Sequence, residues 1–123
     1  MDRQISLSLS VVVERYNERF RHSFVVHGPY PRENWAGTQS ATPGCYALYS
    51  ATDDLLYIGK ASNTRHVGHR LWHHLKKSAA PWMQFVVSIR IVEVAEAVEA
   101  PSLEEYLIRE LQPRHNGTGI RVS

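Results

Sequence analysis

The chain has a single cysteine, Cys45, in 123 residues, so no internal disulfide can close and the fold must stand on its hydrophobic core. Placed in a strand-like run, that cysteine reads as a small buried apolar side chain, and its isolation suits a reducing compartment. No apolar run approaches the ~20 residues that span a bilayer, which excludes a helical membrane protein. The first residues, Met1-Asp2-Arg3-Gln4-Ile5-Ser6, lack the basic segment, apolar block and cleavage site of a secretory leader, so the expected location is the cytoplasm. Internal repeats and low-complexity tracts are also missing. Charge of one sign is scarce: 14 Lys and Arg against 12 Asp and Glu leave +2 with histidines neutral, a mild bias compatible with a polyanionic partner.

The remaining composition, 43% hydrophobic and 21% charged, is that of a soluble protein, and the length predicts one globular unit. Leu9, Val12 or Val13, Tyr16 and Phe20 recur at helical spacing while Glu14, Arg15, Glu18 and Arg19 take the other side, which predicts an amphipathic packing helix. The run Ser23-Phe24-Val25-Val26 is a candidate extra strand. Gly28-Pro29-Tyr30-Pro31-Arg32-Glu33-Asn34-Trp35, with two prolines so close, predicts a loop. Its Tyr30 and Trp35, beside Arg32, have two uses: stacking on nucleobases, or the commoner one of packing over the sheet. Residues 1–42 thus form an extension of helix and loop packed on a core of residues 43–123.

That core is organised around residues 44–60, two β-prone runs joined by a polar turn with Asp53 and Asp54 at the bend. A hairpin with the loop Ala51 to Asp54 pairs Ser50 with Leu55, Leu48 with Tyr57 and Tyr46 with Gly59. Tyr46 and Tyr57 then lie diagonally on one face, and the glycine opposite Tyr46 leaves room there for a ligand to approach.

Downstream, Val67, Leu71 and Leu75 with Trp72 predict a helix over Arg65–Lys77, along whose flank run Arg70, His74 and Lys77. An arginine and a histidine one turn apart at a cleft edge suit a phosphate, by a bidentate fork and a proton-carrying imidazole, although a plain surface pair has the same spacing. His69 and His73 have the i, i+4 spacing of two metal ligands, but no carboxylate or thiolate at ligand spacing completes a zinc set with them or with His66. Residues Met83 to Glu93 alternate, with Met83, Phe85, Val87, Ile89 and Ile91 to one side, and predict a third strand. A connector over Glu96–Pro101 leads to a helix opened by Ser102, with Glu105 at capping-box spacing, and stopped by Pro113. On that helix Glu104 falls within the apolar arc of Leu103, Leu107, Ile108 and Leu111. An inward carboxylate needs a cation such as Arg70 or Lys60, a hydrogen-bond network, or a hard divalent metal such as Mg2+. In the turn that follows, Asn116 is placed to bond local backbone.

Together these pieces resemble the GIY-YIG nuclease family. Gly44-Cys45-Tyr46 is similar to its first motif, with cysteine where isoleucine or valine is usual. Tyr57-Ile58-Gly59 is the second, and the Lys60-Ala61 that follows is similar to the nucleotide excision repair branch. Arg70 matches the helix arginine, and His74 the histidine one turn later in the homing and restriction branches. The segment Leu103 to Asn116 is similar to the closing motif, in which Glu104 takes the glutamate position. The ordered set is specific where any one motif is weak. The resemblance implies a small α/β (α+β) fold with a central three-stranded antiparallel sheet flanked by helices. It also implies an endonuclease that hydrolyses DNA phosphodiester bonds with Mg2+, or Mn2+ as a substitute, nicking one strand per active site as a monomer or homodimer. Glu104 would hold the metal, Arg70 would neutralise the phosphoryl oxygens, and Tyr46 or Tyr57 would take the proton of water. His74 would hold the base or the phosphate, with Lys60, Lys77 and Asn116 near the substrate and Asn116 anchoring the helix end. The alternative is a nucleic-acid-binding module of the same fold without turnover.

Overall fold

The computed structural model describes residues 8–33, 43–61 and 80–116. Helix α1, Leu9–Phe20, starts at Ser8, whose hydroxyl accepts from the Val11 N–H at 3.2 Å, and stops at Arg21 in the left-handed region, φ 61°. Strands β1 (Val26–Pro31), β2 (Gly44–Tyr49), β3 (Leu55–Ala61) and β4 (Ser88–Glu93) follow, with a 3-10 turn over Pro81–Phe85 before β4, and helix α2, Glu99–Leu111, comes last. The sheet has four strands in the order β1-β4-β2-β3, each pair antiparallel, where the sequence pattern predicts three.

The fourth strand is the proline-rich stretch expected to be a loop. Pro29 and Pro31 fit because β1 is an edge strand, with one neighbour, and the register shift between His27 and Tyr30 takes Gly28 and Pro29 out of the ladder. Gly28 sits at φ 109°, a backbone geometry open to glycine. Of the candidate extra strand Ser23 to Val26, only Val26 falls in β1, and Ser23 to Val25 lead into it. Tyr30 packs over the sheet, as the commoner of its two uses predicts, while Trp35 lies outside the described residues.

Alternation along the strands divides the interior in two. Cys45, Ala47, Tyr49, Ile58, Val92 and Val94 face α1 and α2, where Val12, Val13, Leu103 and Leu107 are buried against them. Each such aliphatic side chain contributes about 1.5–3 kcal/mol by leaving water. Tyr46, Leu48, Leu56, Met83, Val86, Ile89 and Ile91 form the second cluster on the opposite face. Of the stripe predicted for α1, Leu9, Val12, Val13 and Tyr16 are buried, whereas Phe20 is exposed and instead lays its ring beside Tyr16 at 4.7 Å.

Two element boundaries differ from expectation. The alternation from Met83 to Val87 is not strand: Pro81 opens a 3-10 turn, Met83 points into the core, and Phe85 and Val87 are exposed. Three-residue periodicity and two-residue alternation overlap in so short a run, and the missing N–H of Pro81 favours the turn. Helix α2 begins at Glu99 rather than Ser102, because Pro101 falls in the first turn, where no N–H is required. Ser102 and Glu105 therefore form no capping box. Glu99 accepts from the N–H groups of Ala95 and Glu96 at 3.1 and 2.9 Å, and the Ser102 hydroxyl meets that of Tyr16 at 3.0 Å.

Candidate active site

The hairpin keeps its expected register where it matters, with Tyr46 opposite Gly59 and Leu48 opposite Tyr57. Nearer the turn the pairing slips by one, so Tyr49 rather than Ser50 faces Leu55. The slip places Leu56 and Tyr57, neighbours in sequence, on the same side of the sheet. The Tyr46 and Tyr57 rings are 6.4 Å apart and inclined by 37°.

The space above Gly59 is used by the protein itself. A Cβ at Gly59 would run into the hydroxyl end of the Tyr46 ring, so the glycine is the seat of that ring, not an opening for a ligand. Tyr46 is 1% exposed as a result, while Tyr57 is half-buried and the more accessible phenol of the two.

Glu104 comes from the other side of β3. Strand alternation turns Lys60 toward α2, where its Nζ lies 3.7 Å from Glu104 Oε1. The carboxylate's side chain is 21% exposed, so it is neither fully inward nor on the open surface. Between sheet and helix, Cys45 stands across from Lys60 and its thiol donates to the Ala100 carbonyl at 3.5 Å. Burial pushes the Cys45 thiol well above its ordinary range, the Glu104 carboxylate pushes it further, and the Lys60 ammonium pulls the other way. Tyr57 and the Lys60–Glu104 pair thus flank the edge strand β3 on opposite faces, with Gly59 between Tyr57 and Lys60 in the chain.

The segment after α2 closes that edge. The N–H groups of Arg114 and His115 donate to the carbonyls of Leu55 and Leu56 at 3.1 and 2.9 Å. Asn116, 3% exposed, continues the pairing with its side chain: Oδ1 accepts from the Ile58 N–H at 2.6 Å and Nδ2 donates to the Ile58 carbonyl at 2.8 Å. Its partner is therefore a strand distant in sequence, where bonding to local backbone was expected, and its amide faces the protein.

Trp82 and His115, which sequence reasoning passed over, extend the tyrosine pair into a ladder of rings. Trp82 stacks on Tyr57 at 5.4 Å and 27°, and His115 on Trp82 at 4.7 Å and 5°. Pro81 is a signal for a turn start that the alternation from Met83 masks, and only the fold brings Trp82 beside Tyr57. Arg70, His74 and Lys77 lie outside the described residues, as do His66, His69 and His73. Among the described residues no three histidine, cysteine or acidic side chains gather into a metal cage. One half-buried carboxylate, paired with Lys60, fits a hydrated hard cation such as Mg2+, which keeps several waters, better than a zinc site.

Comparison with known proteins places the fold and the family. The chain is 35% identical over 80 residues to UvrABC system protein C of Rhodopseudomonas palustris, covering 61% of this chain and 11% of that protein. It is 36% identical over 78 residues to the protein of the same name in Methanospirillum hungatei, covering 60% and 15%. The matched stretch is thus a small part of these relatives. Among solved structures, the GIY-YIG N-terminal endonuclease domain of UvrC from Thermotoga maritima, bound to its catalytic magnesium, superposes with a TM-score of 0.57 at 24% identity, covering 69% of this chain and 94% of that one. Its likeness bears out the antiparallel sheet with helices. The family profile of the UvrC-like GIY-YIG domain matches residues 42–117, more than half of the chain, so the chain belongs to the UvrC-like GIY-YIG domain family.

Proposed function

We propose that the chain is an endonuclease domain that hydrolyses DNA phosphodiester bonds with a divalent cation, nicking one strand per active site. The observation that carries this reading is the placement along β3 of a half-buried phenol, Tyr57, and the Lys60–Glu104 pair, in a chain of this family.

Glu104 would hold the cation, Mg2+ or Mn2+, which when bound supplies a Lewis acid for the scissile phosphate and its leaving oxygen. The protein's own groups do the rest. Lys60 attracts the phosphate to the edge of the sheet and compensates charge growing on its oxygens. The Tyr57 phenol, as phenolate, removes a proton from the attacking water, whose oxygen bonds to phosphorus while the bond to the 3' oxygen breaks, leaving a 5' phosphate and a 3' hydroxyl. A phenol has an ordinary pKa near 10, and cationic neighbours favour its ionised form, as a general base requires. Tyr46, seated over Gly59, supports the floor beneath Tyr57. Arg70, His74 and Lys77 would complete the phosphate contacts, and Asn116 fixes β3 against the end of α2.

Supercoiled plasmid, single-stranded DNA and RNA incubated with the purified chain test this directly, with Mg2+, Mn2+ or chelator and beside Glu104→Ala. Metal-dependent nicking of DNA that Glu104→Ala removes is the expected result. Plasmid bound yet intact in every metal would establish the binding module without turnover.

A further inference from the structure

Arg32, just beyond β1, lies outside the stretch that matches the family. Its half-buried side chain folds back onto the turn that precedes β4. Nη1 donates to the Met83 carbonyl at 2.5 Å and to the Val86 carbonyl at 3.2 Å, and the Arg32 backbone N–H donates to Val87 at 2.9 Å. The Met83 carbonyl lies within the Pro81–Phe85 turn and also accepts from the Val86 N–H, while those of Val86 and Val87 lie just past it, where a short 3-10 helix runs out of its own donors. A planar, permanently charged donor suits them better than any neutral side chain on hand.

The same turn carries Trp82, whose indole stands between Tyr57 and His115. The His115 end is pinned to β3 by its N–H bond to Leu56, and the opposite end of the turn is pinned by Arg32. Trp82 is therefore held from both sides as a wall against the Tyr57 ring.

We infer that Arg32 is a positioning residue for Tyr57, acting through Trp82, so that the segment ahead of the family's motifs sets the angle of the site's more accessible phenol. The geometry stands by itself; its effect on turnover rests on the base role proposed for Tyr57. Two readouts on the metal-free and metal-loaded chain separate these. By NMR, the Tyr57 ring protons carry a ring-current shift from Trp82 in the wild type, and Arg32→Met moves them toward ordinary tyrosine positions. In plasmid nicking, Arg32→Met lowers kcat roughly tenfold to a hundredfold with KM unchanged, as small misplacements of a catalytic group do. Arg32→Lys, which restores one charged donor, recovers much of both, and Trp82→Phe reproduces the defect in turnover.

Tyr57 resonances and kcat that stay put in a folded Arg32→Met variant overturn the inference. So does a rise in KM at constant kcat, which would make Arg32 a DNA contact. If Arg32→Met does not fold, Arg32→Lys and Trp82→Phe decide it by the same two readouts. If the wild type nicks nothing, the nuclease proposal fails and the NMR arm alone decides the positioning role.

Discussion

Lys60 Nζ stands 3.7 Å from Glu104 Oε1, so the carboxylate proposed to hold a cation already faces one. Both side chains reach solvent, 40% and 21% exposed, which limits the pair to about 1 kcal/mol or less. The ammonium therefore competes mildly with a divalent ion while it helps the phosphate. Lys60→Met is expected to tighten Mg2+ binding by up to about fivefold in titration calorimetry. The same variant should nick plasmid at least tenfold more slowly, since one cation fewer faces the phosphate. Weaker metal binding together with slower nicking would mean that Lys60 helps to build the metal site.

Gly59→Ala puts a methyl group where the Tyr46 ring lies. That ring is buried and has little room to retreat. Overpacking of this kind costs about 1–3 kcal/mol. The expected outcome is a lower urea midpoint together with nearly complete loss of nicking, because the floor under Tyr57 shifts. A companion Gly59→Ala/Tyr46→Phe variant relieves little, since the ring carbons, not only the hydroxyl, are in the way. Wild-type stability in Gly59→Ala would show the ring free to move.

Asn116→Ala removes two bonds to the Ile58 backbone and leaves its buried N–H and carbonyl without that partner. Each orphaned group costs about 1–3 kcal/mol, so a loss of about 2–6 kcal/mol is expected in denaturant unfolding. Asn116→Asp should recover the acceptor for the Ile58 N–H but oppose the Ile58 carbonyl, and fall between the two. Equal stability of Ala and Asp variants would contradict the pairing role.

Acid should loosen the ring ladder. Burial holds the His115 imidazole below its ordinary pKa of 6.5, with the neighbouring Arg114 acting in the same direction. The folded state therefore prefers the neutral ring. Its contribution to stability is fully present above pH 6.5 and is lost as the pH falls through the lowered folded pKa. Thermal melts from pH 7.5 down to 5 should show a decline that His115→Phe, which stacks without titrating, makes shallower. Parallel declines for both would place the acid sensitivity elsewhere.

How far the sequence could be read follows from the range of the forces involved. The register of Tyr46 with Gly59 and of Leu48 with Tyr57 was legible because a polar turn and two apolar runs specify it locally; the slip at Tyr49 was not, because a bulge leaves no periodic trace. Pro29 and Pro31 read as breakers, and they would be in an interior strand, but a proline costs nothing on an edge whose N–H has no neighbour. The sequence alternation that placed Phe85 and Val87 in a strand also fits a 3-10 turn. Glu104 was found because a carboxylate inside an apolar arc needs a reason. Asn116 gave no such signal, for its partner Ile58 is 58 residues away in the chain and only the fold brings them together. Arg32 and Trp82 were hidden for the same reason.

The position of β1 bears on what can be cut away. With β1 in place, β4 is an interior strand hydrogen-bonded on both sides. Trimming the chain to the family-matched stretch would turn Ser88–Glu93, with its Ile89, Ile91 and Val92, into a bare edge ready to pair with another molecule. It would also strip Leu9, Val12, Val13 and Tyr16 from the opposite cluster. The residues that precede the motifs are thus the sheet's safeguard against aggregation, and a minimal catalytic fragment of this chain has to begin ahead of α1.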